Sequence, residues 1–377
     1  MLFTKETEAY LESCAQEQVA LLKTLAQIPA PSGKEEKRVE FCTAWLQANG
    51  VKNVHVDEAL NVICSFGDTG SNPLVIFSAH SDVVFPDVDT LPLREENGRI
   101  YCPGVGDDTG CVVVLLLAAR YFAQNNLTPK DCGMLIVINS CEEGLGNLKG
   151  TRKLMETYGS RVREVISFDA RIGGCVDQPV GSRRFRIEVD TEGGHSYSMF
   201  GNRNAIAYLA SLIDTLYTMK VPAGGRTTYN VGTISGGTSV NTIAQHAEML
   251  YEFRSDCRES LEIMNKHLEA AVEFYRAKGV NVTVTVVGDR PCCGDVDVSA
   301  LEALKARANE TNNRHFGKDL SFVRGSTDCN IPMSMGIPGI TLGCYTGQGA
   351  HTREEYIDID SLQPGLKFAF DIMLYYF

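Results

Sequence analysis

The sequence predicts an α/β fold: a mixed, mostly parallel sheet flanked by helices, with a ferredoxin-like α+β unit inserted into it. Three observations carry this reading. Short, continuously apolar segments alternate with helical ones, and strands of that kind belong to sheets covered on both faces. Three of these segments run into chelating side chains, at His80, at Glu142 and Glu143, and at Asp169. In such sheets ligands gather at the carboxyl ends of the strands. Beyond Gly181 the order changes to β-α-β-β-α-β, the split βαβ arrangement.

The elements follow in order. Residues 5–28 and 34–49 read as helices separated by Pro29-Ala30-Pro31-Ser32-Gly33, which ends one helix and can cap the next. Strand character begins at Val54. Asn72–Ala79 is an apolar strand ending at His80, residues 109–123 form an apolar helix, and Met134–Ile138 is a strand with Glu142 and Glu143 just beyond it. Glu164–Phe168 is a further strand, ending at Asp169. The inserted unit has strands at Arg184–Val189, Thr227–Ile234, Ala247–Arg254 and Val280–Val287, and helices at Asn204–Thr218 and Glu259–Lys278. After Pro291 come a helix (Ser299–Asn312), a polar loop (Gly325–Asn330), an apolar strand (Gly339–Leu342) and a closing helix (Ile359–Tyr375). The expected domains are therefore residues 1–182 with 294–377, and residues 183–293 inserted between them. A length of 377 residues suits two domains.

Composition narrows the class. The content of 44% hydrophobic and 22% charged residues is that of a soluble globular chain. A net charge of −12 argues against a nucleic-acid partner, since no basic face offsets the acid. The segment from Met1 to Ala20 is polar and amphipathic, unlike a secretory leader. The longest apolar run, Cys111–Ala119, is too short to span a bilayer. Thirteen cysteines are scattered singly apart from Cys292-Cys293, with no CxxC pair, which points to reduced, mostly buried thiols. A cytoplasmic location without membrane attachment is the expectation.

Candidate metal ligands emerge from the strand ends. In His80-Ser81-Asp82, a histidine can bind a metal while the carboxylate two residues on holds its other N–H. In Gly106-Asp107-Asp108 a single Asp would serve as a helix N-cap, but two exceed what a cap needs, and one carboxylate can bridge two cations. Glu142 and Glu143 read alone as an acidic turn; together they could supply a ligand and a general base. Asp169 and His351 complete the set, His351 in the flexible loop Gly347-Gln348-Gly349-Ala350-His351-Thr352. Two histidines and three carboxylates suit zinc, with cobalt or manganese as substitutes.

These motifs resemble the co-catalytic di-zinc hydrolases that include peptidase T, glutamate carboxypeptidase, aminoacylase, acetylornithine deacetylase and succinyl-diaminopimelate desuccinylase. The resemblance runs nearly end to end. It covers Pro31-Ser32-Gly33 with Glu35, His80-Ser81-Asp82, Gly106-Asp107-Asp108, Glu142-Glu143-Gly144, Asp169 and Gly193-Gly194-His195-Ser196. It continues through Gly236 to Ile243, Gly325 to Asn330, and Ala350-His351-Thr352.

The resemblance implies two zinc ions per chain, one held by His80 and Asp169, the other by Glu143 and His351, with Asp107 bridging. It implies that Asp82 orients His80, that Glu142 is the general base, and that the Asp107–Asp108 peptide is cis. The inserted unit is expected to be a lid and dimerisation domain. Its His195 would stabilise the oxyanion, from the partner subunit of a homodimer, while Asn241 and Arg254 would bind the substrate's carboxylate. For Asn241 a plain turn residue, and for Arg254 a strand-edge salt bridge, are the competing readings. Two departures stand out: Thr109 where Lys is often found, and Cys141 where Asp is common. The expected activity is that of an exopeptidase on small peptides, aminopeptidase-like, or else an N-acyl amino acid amidohydrolase. Asp169 in place of Glu leans toward peptidases. A scaffold that had lost its metals would be expected to show gaps in this set.

Overall fold

The computed structural model describes residues 3–377, so Met1 and Leu2 of the amphipathic N-terminal segment lie outside the described residues. The chain divides into two compact units, Met1–Pro179 with Gly294–Phe377, and Val180–Cys293.

The first unit is built on an eight-stranded mixed sheet. Its order is Val54–Val56, Val62–Phe66, Gly133–Asn139, Leu74–His80, Val162–Phe168, Gly339–Leu342, Gly174–Pro179 and Ser321–Gly325. The four strands from Gly133–Asn139 to Gly339–Leu342 run parallel to one another. Leu74–His80 and Gly133–Asn139 are buried at every position, which is why they read as unbroken apolar runs. Helix Cys111–Gln124 is buried from Cys111 to Phe122, and helix Leu362–Leu374 joins the same core. Each fully buried aliphatic or aromatic side chain contributes about 1.5–3 kcal/mol, so the centre of this sheet is a rigid support for whatever sits at its strand ends.

Several local features differ from the sequence reading. The N-terminal helix is two helices, Lys5–Ser13 and Ala15–Ala26. At Cys14 the backbone stays near helical values, and its N–H reaches the Tyr10 and Leu11 carbonyls, while Arg120 Nη2 donates to its buried thiol. The strand Ser321–Gly325 has no counterpart among the expected elements, because it is an exposed edge without an apolar pattern. The hairpin Arg94–Glu96 with Arg99–Tyr101 and the helix Lys149–Tyr158 were also unassigned, being short or polar. All thirteen cysteines are free thiols, and all but Cys257 and Cys293 are buried.

The second unit is a four-stranded antiparallel sheet in the order Thr227–Gly236, His246–Ser255, Gly181–Asp190, Asn281–Arg290. Helices Ala205–Tyr217 and Arg258–Ala277 cover one face. Phe185, Ile187, Val189, Met249, Tyr251 and Phe253, alternate residues along their strands, form the core with them. Asn204 caps the first helix by accepting the N–H groups of Ile206 and Ala207. Thr227–Gly236 is an edge strand, exposed from Gly232 onward. Among the described residues, no helix is long and apolar enough to cross a membrane.

Candidate metal centre

The first unit brings His80, Asp107, Glu143, Asp169 and His351 together. His80 ends a buried strand and is itself buried. Its Nε2 lies 3.0 Å from Asp107 Oδ1 and 3.8 Å from Asp169 Oδ1. Its Nδ1 faces the Asp82 main-chain carbonyl at 3.0 Å and the Asp82 carboxylate at 3.4 Å. A proton on Nδ1, donated to that carbonyl, leaves the Nε2 lone pair directed at the carboxylates.

Asp107 spans the centre. While Oδ1 meets His80, Oδ2 lies 3.2 Å from His351 Nε2, and that same nitrogen is 3.0 Å from Glu143 Oε1. The two oxygens of one carboxylate thus face two different imidazoles, the geometry a bridging ligand requires. The Asp107–Asp108 peptide is cis, and Asp108 turns Oδ2 back to accept the His80 main-chain N–H at 3.0 Å. Donor atoms of His80, Asp107 and Glu143 lie within 4.8 Å of one another, as do those of His80, Asp108 and Asp169. The donors are all imidazole nitrogen and carboxylate oxygen, so the residues fit a pair of borderline divalent cations such as zinc.

Crowded charge shifts four of these groups, His80, His351, Asp107 and Asp169. Burial opposes protonation of His80, but hydrogen bonds to Asp107, Asp169 and Asp82 outweigh it and raise its pKa. Hydrogen bonds to Asp107 and Glu143 raise His351 to about 10. Burial would raise Asp107, but its contacts with His351 and His80 hold it below the ordinary carboxylate range. Burial pushes Asp169 up to about 7, against the hydrogen bond from His80. A cluster of this kind holds protons that a cation would displace.

The Asp82 carboxylate accepts the main-chain N–H groups of Glu142 and Glu143, each at 2.9 Å, and the Ser32 hydroxyl at 2.6 Å. The Pro31–Glu35 turn is therefore part of the site's frame. Glu35 Oε1 accepts the Gly33 and Cys141 N–H groups and the Cys141 thiol. Cys141 sits at φ 57°, held there by Glu35, directly before the glutamate pair. Glu142 is buried, with 4% of its surface exposed. Asp328, from the Gly325–Asn330 loop, accepts Asn139 Nδ2 at the end of the neighbouring strand.

Two residues here were not singled out from sequence. Glu355 is buried, and its carboxylate accepts three main-chain N–H groups, from Gly104, Gly106 and Asp107, each at 2.8 Å. Burial lifts its pKa to about 7, the three amides opposing. Nothing in its surroundings in sequence marks it. Arg38 is buried on helix Glu36–Ala48 beside Val39, Cys42 and Leu46, and a charged residue on that apolar face was the available signal. Thr109 is also buried, with Arg38 Nη1 donating to its hydroxyl.

The remaining candidates belong to the second unit. His195 is exposed, and its Nδ1 accepts the N–H of Tyr197 at 3.2 Å. Gly193 and Gly194 before it both take positive φ, and a Cβ on Gly193 would collide with the Gln245 side chain. His195 pairs with Thr242 across a two-stranded ribbon, and the Ser196 N–H donates to the Asn241 carbonyl, so His195 and Asn241 lie together. Arg254 does not join them. It sits toward the far end of strand His246–Ser255, about 25 Å along the strand from His246, and donates to Glu252 from Nε at 3.0 Å and Nη2 at 3.1 Å.

The sequence matches the profile of Peptidase family M20/M25/M40 over residues 76–375. A succinyl-diaminopimelate desuccinylase of Corynebacterium glutamicum is 23% identical over 360 residues, covering 91% of this chain and 92% of its own length. Among solved structures, a tripeptidase of Staphylococcus aureus superposes with a TM-score of 0.75 at 22% identity, covering 95% of this chain and 97% of that one. A dinuclear metal-binding peptidase of Bacillus subtilis superposes at 0.65 with 16% identity, covering 97% and 98%. At these identities the likenesses to solved structures establish a shared fold. The family match, spanning most of the chain and every residue of the metal cluster, places this protein in Peptidase family M20/M25/M40, metallohydrolases that act on peptide or amide bonds.

Proposed function

We propose that the protein is a two-metal exopeptidase that hydrolyses di- or tripeptides in the manner of an aminopeptidase. The observation that carries the two-metal part is the Asp107 carboxylate, whose two oxygens face His80 and His351 separately; the choice of peptides rests on Asp169 and the tripeptidase likeness. In this reading His80 and Asp169 would hold one zinc, Glu143 and His351 the other, and Asp107 would serve both. The chemistry such cations supply is Lewis acidity toward a water and toward the scissile carbonyl.

The chain's own residues do the rest. Glu142 is the general base: it takes the proton of the attacking water and returns it to the leaving amine. Its main chain is anchored on Asp82, which keeps the side chain from drifting. His195 donates a hydrogen bond to the developing oxyanion. Asn241, beside it, binds the substrate's carboxylate. Arg254, paired with Glu252 toward the far end of its strand, stays outside this carboxylate-binding group. Closure of the second unit over substrate excludes water. The exposed edge Thr227–Gly236 supports a homodimer, and the scattered free thiols fit a cytoplasmic location.

A second reading is supported by the desuccinylase relative: hydrolysis of N-acyl amino acids through the same chemistry. Asp169, rather than Glu, and the tripeptidase likeness favour peptides. A turnover screen with zinc, cobalt and manganese over free di- and tripeptides, N-acetyl and N-succinyl amino acids decides. Peptides should give the higher kcat/KM. A preference of about tenfold or more for acyl substrates moves the assignment to a deacylase.

A further inference from the structure

We propose that Arg38 is a positioning residue of the metal centre, whose buried guanidinium fixes the spacing between the turns that carry His80 and Asp107. The inference rests on the reading of that cluster as a metal site.

Arg38 is 1% exposed, and its hydrogen bonds go to no carboxylate. Its acceptors are neutral. Nε donates to the Ile28 carbonyl at 2.8 Å and Nη2 to the Ala26 carbonyl at 3.5 Å. Nη1 donates to the Ser81 carbonyl and to Thr109 Oγ1, both at 3.0 Å. Asp82 and Glu355 act on it only from beyond contact distance, so the buried cation is costly, and an apolar side chain of similar volume would be the more stable filling for a core. What distinguishes arginine here is its planar fork, which addresses several acceptors at fixed angles.

Those acceptors divide into two groups. Ala26 and Ile28 lie at the carboxyl end of helix Ala15–Ala26, so half of the guanidinium caps that helix. The other half reaches the metal cluster. Ser81 lies between His80 and Asp82. Thr109 follows the Asp107–Asp108 pair, and its own hydroxyl donates to the Gly104 carbonyl at 2.5 Å, closing the turn that presents Asp107. One nitrogen, Nη1, therefore touches both turns. On the opposite side of those turns, His80 Nε2 and Asp107 Oδ1 stand 3.0 Å apart. Moving Nη1 moves one turn against the other and changes the separation of two metal donors. The helix-capping half accounts for stability alone; the Nη1 half predicts an effect on the metals.

The two halves separate experimentally. Metal-free wild type, Arg38→Lys, Thr109→Val and the double variant are titrated with cobalt(II). Affinity is read by calorimetry, the ligand field by the visible cobalt absorption, and folding by thermal melting. Thr109→Val keeps the helix cap but deletes one Nη1 contact together with the hydroxyl's own bond to the Gly104 carbonyl; it should weaken cobalt binding about threefold or more and alter the visible band. Arg38→Lys cannot reach both turns and should weaken binding about tenfold or more. The double variant should lose less than the sum of the two single changes, because they share the Nη1 contact, whereas full additivity would mean that Thr109 acts through Gly104 alone and would overturn the proposal. Wild-type affinity and an unchanged spectrum in Thr109→Val overturn the proposal, even if Arg38→Lys melts early or fails to fold. If wild type itself takes up no cobalt or zinc, the metal reading falls and this inference with it, whereas a two-metal wild type with indifferent variants sinks only the role of Arg38.

Discussion

Asp82 Oδ2 accepts the main-chain N–H of Glu143 at 2.9 Å, and the other oxygen of the same carboxylate takes that of Glu142. A residue assigned to orient an imidazole thus also fixes the glutamate pair. An amide in its place would turn a donor toward one of those N–H groups. Asp82→Asn should therefore weaken zinc binding by about 10–100-fold and lower kcat as well, with the fold intact by circular dichroism. Loss of kcat with zinc affinity unchanged would show that the carboxylate matters for Glu142 alone.

Glu142 and Glu143 should part company when changed singly. Glu142→Gln removes the base and no ligand, so metal content should stay at the wild-type level while kcat falls by about 10²-fold or more. Glu143→Gln should lower the occupancy of one metal site, read by elemental analysis after gel filtration. Near-normal turnover in Glu142→Gln would refute its assignment as base.

Metal uptake should expel protons. The metal-free cluster keeps His351 protonated up to about pH 10, because Asp107 and Glu143 stabilise the imidazolium. A ligating imidazole must be neutral, so binding near neutral pH releases that proton, and affinity should rise from about pH 6 to about pH 9. Calorimetry in buffers of different ionisation enthalpy counts the protons. The sign for stability follows from the same shift. The folded pKa lies above the unfolded value of about 6.5, so this contribution is complete below that pH and disappears as pH rises through about 10. Chelated protein should therefore lose thermal stability at alkaline pH, and zinc should restore it. A pH-independent affinity would contradict this.

The proposed role of His195 in trans can be tested by mixing subunits. His195→Ala and Glu142→Gln homodimers should each be nearly inactive. After subunit exchange, one site in each mixed dimer pairs an intact Glu142 with an intact His195, and a sizeable fraction of activity should return. Verified exchange without recovery would place His195 in cis or outside catalysis.

The parent sheet and its ligand-bearing ends were legible because strands buried on both faces leave unbroken apolar runs, and Leu74–His80 and Gly133–Asn139 are of that kind. The four strands and two helices of the second unit were legible through their alternation and periodicity. Ser321–Gly325 was not, since an exposed edge strand needs no apolar pattern. The metal cluster could be assembled from its side chains, whose chemistry is unusual at strand ends. Its frame could not. Glu355, Arg38 and the Asp82 carboxylate bind main-chain groups, and every residue offers those, so no pattern in the sequence points to the pairing. Arg254 shows the converse: its motif implied a ligand site, but the register of its strand carries it away from Asn241 and beside Glu252.

The parallel pairing of Gly339–Leu342 with Val162–Phe168 has a consequence for how the protein is made. Synthesis runs from the amino terminus, so Val162–Phe168 leaves the ribosome with one side unpaired and must wait while the whole of Val180–Cys293 is translated. Among the described residues the strands of that intervening unit pair only with one another, so it can finish first. Meanwhile the older half displays a long, apolar, unprotected strand, a template for joining other nascent chains. His351 arrives later still. Ribosomes that stall before the last stretch would release chains bearing His80, Asp107, Glu143 and Asp169 but no partner for the far oxygen of Asp107, and such fragments should be both aggregation-prone and unable to retain a second cation.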